Sequence, residues 1–165
     1  MILKDRSDAG KQLASQLGAY QRHAHTVVVG IARAGVIPAY FIAQTLKLPL
    51  VQMTVLTVNS LSEQERLAPV IKDQTVILVD DGLVTGTTIR SALGACKALG
   101  AQKIVIAAPV APIELVKELR QEADDVVILY TPPSMTSVQR FYQFYEPVTN
   151  AEVTALLVLS APKQR

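Results

Sequence analysis

Apolar residues along this chain follow two rhythms. Short unbroken runs at residues 26–32 (TVVVGIA), 50–58 (LVQMTVLTV), 75–81 (TVILVDD), 103–111 (KIVIAAPVA) and 124–133 (DDVVILYTPP) read as β-strands buried on both faces. Between them lie segments in which apolar positions recur every three or four residues, the spacing of a helix with one buried face. Residues 6–20 are the first such segment, with Ala9, Leu13, Leu17 and Tyr20 in register and Ser7 or Asp8 as its cap. Residues 35–49, 87–99 (closed by Gly100), 113–123 and 149–159 follow, the last capped by Thr149 or Asn150. This alternation predicts an α/β, three-layer sandwich in which a parallel sheet of about five strands lies between helices joined by right-handed crossovers. Residues 59–74 are the least regular stretch, charge-rich and placed between two strands, and are expected to form a mobile surface loop.

Composition supports a covered sheet and removes several classes of function. Half of the 165 residues are apolar and 18% are charged, the usage of strands hidden on both sides. The length fits one domain with a substantial core. A net charge of +2, with Lys and Arg dispersed, offers no footprint for nucleic acid. The longest uncharged apolar run, residues 104–113, is half of the ~20 residues a membrane span needs and contains Pro109 and Pro112. The first ten residues lack the apolar segment of a signal peptide, so no membrane partner is expected and the cytoplasm is the expected compartment. Cys96, the single cysteine, sits among Ala95, Ala98 and Leu99 and reads as a small buried residue. His23 and His25 follow the end of the first helix, where positive charge is welcome, and are assigned no chemistry.

The chemistry concentrates in VILVDDGLVTGTT, residues 76–88. Ligands of open α/β sheets bind beyond the carboxyl ends of strands, where the next helix offers free backbone amides. Asp80 and Asp81 stand at such an end. Gly82 and Gly86 then allow tight turning, and Thr85, Thr87 and Thr88 supply hydroxyls and amides that can converge on one anion. The segment lacks the lysine and the glycine spacing of a nucleotide-hydrolysing P-loop. Two carboxylates beside a phosphate would repel it, so their partners are expected to be hydroxyl groups or a hydrated magnesium ion. A phosphorylated sugar meets all of these conditions. A receiver-type acid pocket also favours a VDD run, but on its first strand, whereas this run follows two strand and helix units.

The same stretch resembles the phosphoribosyl pyrophosphate motif of type I phosphoribosyltransferases: a hydrophobic strand, an acidic pair and a loop of small residues ending in Thr. LKDRSDAGKQLASQL near the start, GIARAGVIPA in the middle and QRFYQFYEPVTNAEVTALL near the end extend the resemblance over residues 1–165, taken as one phosphoribosyltransferase-like domain. It implies magnesium-dependent transfer of phosphoribose from phosphoribosyl pyrophosphate to a small-molecule acceptor, in a homodimer. Asp80 and Asp81 would hold the ribose hydroxyls and, through water or substrate, Mg2+. Gly82, Thr85, Gly86, Thr87 and Thr88 would bind the sugar phosphate. Ala32, Arg33, Ala34 and Gly35 would form the pyrophosphate loop, with Arg33 as its cation and a cis peptide at Ala32–Arg33.

Three departures from the family pattern bear on activity. Val84 stands where many purine-acting members carry an acidic residue, and Ala34 where the pattern has glycine. Residues 59–74 are shorter than the family's closing loop, with a reduced hood, and Arg66 is the only basic residue in their first half. The alternative reading is therefore a non-catalytic domain that senses phosphoribosyl pyrophosphate or a nucleotide. Acceptor contacts are expected around residues 132–142. Phe141, Tyr142, Phe144 and Tyr145 either stack on a base or follow an alternation that buries Phe141 and leaves its neighbours for a subunit contact.

Overall fold

A computed structural model describes residues 2–161. Its strands are β1 (Thr26–Ile31), β2 (Leu50–Met53), β3 (Thr75–Val79), β4 (Lys103–Val110) and β5 (Asp125–Tyr130). They form one sheet in the order β2-β1-β3-β4-β5, with every neighbouring pair parallel. Helices α1 (Arg6–Gln16), α2 (Val36–Leu46), α3 (Leu61–Ile71), α4 (Thr87–Ala98), α5 (Ile113–Glu122) and α6 (Asn150–Ser160) flank it. Alternate residues of each strand feed opposite layers. Val28, Ile77, Val79, Val105 and Ala107 pack with Leu13 of α1, Leu17 just after its end, and Ile42 and Leu46 of α2. Val27, Val29, Val76, Leu78, Ile104 and Ile106 pack instead with Leu67, Ile89, Cys96 and Leu119 of α3, α4 and α5. Helix α6 lies against α2. No described helix is long and apolar enough to cross a membrane.

The segment expected as a loop is helical. Ser60 accepts a bond from the Glu63 amide at 3.3 Å, a cap at the start of α3. Leu67 and Ile71, one turn apart, are fully buried against the sheet. Pro69 lies inside the helix, and its lack of an N–H, with the many charges around it, hid a helix whose buried stripe is only two residues wide. Strand β2 is also shorter than its apolar run: the chain leaves the sheet after Met53 and takes a 3-10 turn at Val55–Thr57. Helix α1 is capped by Asp5, which accepts from the Asp8 amide, rather than by Ser7 or Asp8.

The strand order fixes where a ligand can sit. From β1 the chain crosses to β2 on one side and later returns to β3 on the other, so the loops after β1 and β3 diverge and leave a crevice at their carboxyl ends. Register sets these ends side by side, with Gly30 opposite Val79 and Ile31 opposite Met53.

Ile77 is fully buried in the central strand. Ile77→Ala is expected to lower unfolding free energy by roughly 2–5 kcal/mol in urea denaturation, through lost transfer energy and the cavity left behind. Leu61→Ala, at a side chain 70% exposed, is expected to stay within about 0.5 kcal/mol of the wild type.

Candidate active site

Beyond β3 the chain runs through Asp80 and the glycine–threonine loop into α4. Around it is a cleft of about 180 Å³ lined by Asp80, Val84, Thr85, Thr87, Thr88 and, from the far end of the chain, Val138. Gly86 caps α4 with φ +84°, a left-handed conformation that side chains disfavour. A Cβ there would also lie 2.7 Å from a methyl of Leu115. Thr85, Thr87 and Thr88 are exposed; the Thr85 and Thr87 hydroxyls lie 3.2 Å apart. The first turn of α4 presents backbone amides without intrahelical acceptors, and the positive end of the helix dipole points the same way, so this rim suits an anion.

The loop after β1 packs beside the carboxyl end of β3. A Cβ on Gly35 would stand 2.6 Å from the Val79 carbonyl oxygen and 3.0 Å from the Asp80 Cα, so only glycine lets the two loops close on each other. The Ala32–Arg33 peptide is cis. Arg33 is exposed and has no ion-pair partner among the described residues. Ala34 packs with Ala32 and Ile37 against Val36, Val148 and Val153, which gives its methyl a place in a small apolar cluster with α6.

The two aspartates occupy different surroundings. Asp80 lines the cleft and is half-buried. Burial first, and then the neighbouring Asp81 carboxylate, push its pKa well above the usual carboxylate range, while the bond its Oδ1 accepts from the Asp81 amide at 2.8 Å opposes the shift. Asp81 is only 6% exposed and does not line the cleft. Its Oδ2 accepts from Arg6 Nε at 3.1 Å and from the Tyr145 hydroxyl at 2.7 Å. Its carbonyl accepts from the Tyr142 hydroxyl at 2.6 Å. Arg6 also donates from Nη1 to the Glu146 carbonyl at 2.7 Å and stacks its guanidinium 4.0 Å from the Tyr145 ring centre. Burial and then the Asp81 charge push the Tyr145 hydroxyl up to about 12, so it stays a donor. Both carboxylates were expected on the ligand; one faces the cleft and the other faces inward.

Sequence reasoning did not single out Arg6, and it offered Tyr142 and Tyr145 only as stacking or subunit-contact residues. For Arg6 a signal existed: it lies three, four and seven residues before Ala9, Gly10 and Leu13, on the buried stripe of α1, and an arginine on such a stripe requires a buried acceptor. In the aromatic run Tyr142 is buried and Phe141 only half-buried, the reverse of the alternation reading, because the chain here takes a 3-10 turn at Gln139–Phe141 before extending beside Leu3. Residues 55–71 contribute nothing to the cleft lining. Arg66 is turned away, paired with Glu63 and donating to the Gln52 carbonyl at 2.7 Å. A larger hollow of about 510 Å³ lies between the end of α2 and the end of α6, lined by Lys47, Leu50 and Leu157. It opens at the amino end of β2, away from the strand ends where the polar loops converge.

Comparison with known proteins identifies the family. The model of the phosphoribosyl transferase domain family matches residues 2–139. A Mycobacterium tuberculosis protein that carries phosphoribosyl transferase as a provisional name is 29% identical over an alignment of 209 residues, taking in 94% of this chain and 46% of its own length; the chain thus spans about half of that relative. A crystal structure from Thermus thermophilus superposes with a TM-score of 0.80 at 25% identity, covering 98% of this chain and 100% of that one. The purine phosphoribosyltransferase of Pyrococcus horikoshii shares the fold, with a TM-score of 0.52 at 23% identity over 82% of this chain and 95% of its own. Family match and sheet topology therefore agree: the chain belongs to the phosphoribosyltransferases, with the fold of their type I members.

Proposed function

We propose that this chain binds phosphoribosyl pyrophosphate in the Asp80 cleft and transfers its phosphoribosyl group to a small nitrogen acceptor, releasing pyrophosphate. The observation that carries this reading is the cleft itself, in which a helix N-terminus with three hydroxyls and one carboxylate meet at the sheet's switch point, with the loop that bears Arg33 packed beside the end of β3 through Gly35. Thr85, Thr87, Thr88 and the α4 amides hold the sugar phosphate. Asp80 accepts from a ribose hydroxyl. Arg33 and the 32–35 backbone receive the pyrophosphate, whose developing negative charge the guanidinium stabilises as the bond to the anomeric carbon breaks.

The donor set also fits magnesium. Among the described residues no three acidic, His or Cys side chains gather to cage a metal, and Mg2+ keeps most of its water and takes one or two carboxylates plus substrate oxygens. Asp80, short of positive partners in the cleft, suits that role; bound there, Mg2+ would supply charge neutralisation of the leaving group. Val84 lines the cleft and cannot take a proton, so the acceptor attacks as an anion or its proton leaves to the departing pyrophosphate or to water.

A second reading, a sensor that binds phosphoribosyl pyrophosphate without turnover, is favoured by α3. The segment that would close over the site is folded against the sheet through Leu67 and Ile71, and closure is what keeps water from a cation-like sugar. Pyrophosphate release measured across a panel of nucleobases and related heterocycles separates the two. Release with at least one acceptor, lost in Arg33→Ala, is expected for the transferase. Tight binding with no release for any acceptor leaves the sensor.

Asp80→Asn is expected to weaken phosphoribosyl pyrophosphate with Mg2+ by about tenfold or more, the loss of a charge-assisted hydrogen bond being about 1.5–3 kcal/mol. Calorimetry should show inorganic phosphate bound as well as before or more tightly, since a nearby negative charge is gone. The same variant has a signature in stability. Because Asp80 is raised in the fold, its contribution is fully present below the unfolded carboxylate value and is lost as pH rises through the folded one. Asp80→Asn should therefore melt higher than the wild type at neutral pH, with the gap closing in acid.

A further inference from the structure

We propose that Arg6 and Tyr145 are positioning residues of the cleft: by holding the Asp81 carboxylate inside the protein they fix the backbone that presents Asp80 and starts the phosphate loop. The inference rests on the reading of the cleft as a phosphoribosyl pyrophosphate site for one of its two readouts and on geometry alone for the other.

The argument starts from how many atoms of Asp81 are held. Its carboxylate takes Arg6 Nε and the Tyr145 hydroxyl, its carbonyl takes the Tyr142 hydroxyl, and its amide donates to Asp80. These bonds reach 75, 64 and 61 residues along the chain, and one to the next residue. Asp81 is thereby the hub at which three separate segments meet: the start of α1, the turn after β3, and the crossover that joins β5 to α6. The crossover is held from the other side as well, since Leu3 donates to the Phe141 carbonyl and accepts from the Gln143 amide, each at 2.7 Å. Arg6 closes the ring through the Glu146 carbonyl.

Two of the held segments carry walls of the cleft. Asp80 precedes the hub and Gly82 follows it. Val138, on the crossover, packs so closely on Gly82 that an added Cβ would stand 2.6 Å from one of its methyls. If the hub loosens, Asp80 and Val138 lose their fixed separation together, whereas Thr85, Thr87 and Thr88 remain anchored by α4. A carboxylate that is 6% exposed and already accepts two donors serves this purpose better than it would serve a sugar hydroxyl, which it could reach only by giving up Arg6. An unpaired Arg6 would then be buried with its charge uncompensated.

Tyr145→Phe tests this with little risk to folding, because the ring and its stacking on Arg6 remain. Arg6→Lys, which keeps the charge but cannot donate to Asp81 and Glu146 in the same fork, is the second variant. The first readout is native-state hydrogen exchange. Both variants are expected to exchange several-fold faster at residues 80–83, with residues 75–79 of β3 unchanged. The second is calorimetry with phosphoribosyl pyrophosphate plus Mg2+ and, separately, inorganic phosphate. Affinity for the former is expected to fall about three- to tenfold, and for the latter to change less than twofold. A purely structural role would lower the melting temperature and move neither the local exchange nor the ratio of the two affinities, and that result overturns the proposal. Weaker binding without faster exchange also overturns it, because Tyr145 would then be touching the ligand. If the wild type binds phosphate but not phosphoribosyl pyrophosphate, the functional reading fails, and the exchange at 80–83 alone decides the positioning role.

Discussion

The buried pair of Arg6 and Asp81 is the constraint on which the geometry of the cleft depends. Removing both charges from water costs several kcal/mol each, and their attraction repays this only when the remaining donors and acceptors are satisfied. Here they are: two donors on Oδ2, a second arginine bond to the Glu146 carbonyl, and an aromatic face against the guanidinium. No buried side-chain polar atom among the described residues lacks a partner. Few arrangements of three distant segments could satisfy all of these groups at once.

The sheet supplies the other half of the design. Its five strands bury both faces, so every polar function is pushed to the strand ends, and the order β2-β1-β3-β4-β5 opens the crevice between β1 and β3. Gly35 and Gly86 serve that crevice in different ways. Gly35 permits contact between the two loops, and Gly86 turns the chain so that the first amides of α4 face the cleft. The consequence is a half-buried Asp80 whose charged form is disfavoured by burial and by the Asp81 carboxylate.

The folded state of residues 61–71 shapes the choice between transfer and sensing. As a helix with Leu67 and Ile71 in the core, the segment would need to leave its packing before covering the cleft, which costs the burial of two large side chains. The match to only about half of the Mycobacterium tuberculosis relative leaves room for that relative's remaining sequence to contribute to its own activity.

Much of this protein follows from sequence alone because the signals are local. Unbroken Val and Ile runs separated by three-and-four periodicity fix a parallel sheet between helices, and a strand, an acidic pair and a Thr–Gly loop in immediate succession mark the loop that lines the cleft. Thr149 as the α6 cap is likewise a decision made within four residues. Tertiary structure decided what depends on distance. Helix α3 exists because Leu67 and Ile71 find a sheet to pack on, which a short, charged, proline-bearing stretch does not announce. Asp80 and Asp81 are chemically identical neighbours, and nothing local distinguishes them. Only the arrival of Arg6, 75 residues earlier, and Tyr145, 64 residues later, turns one inward and leaves the other in the cleft, because a buried carboxylate goes where its donors are.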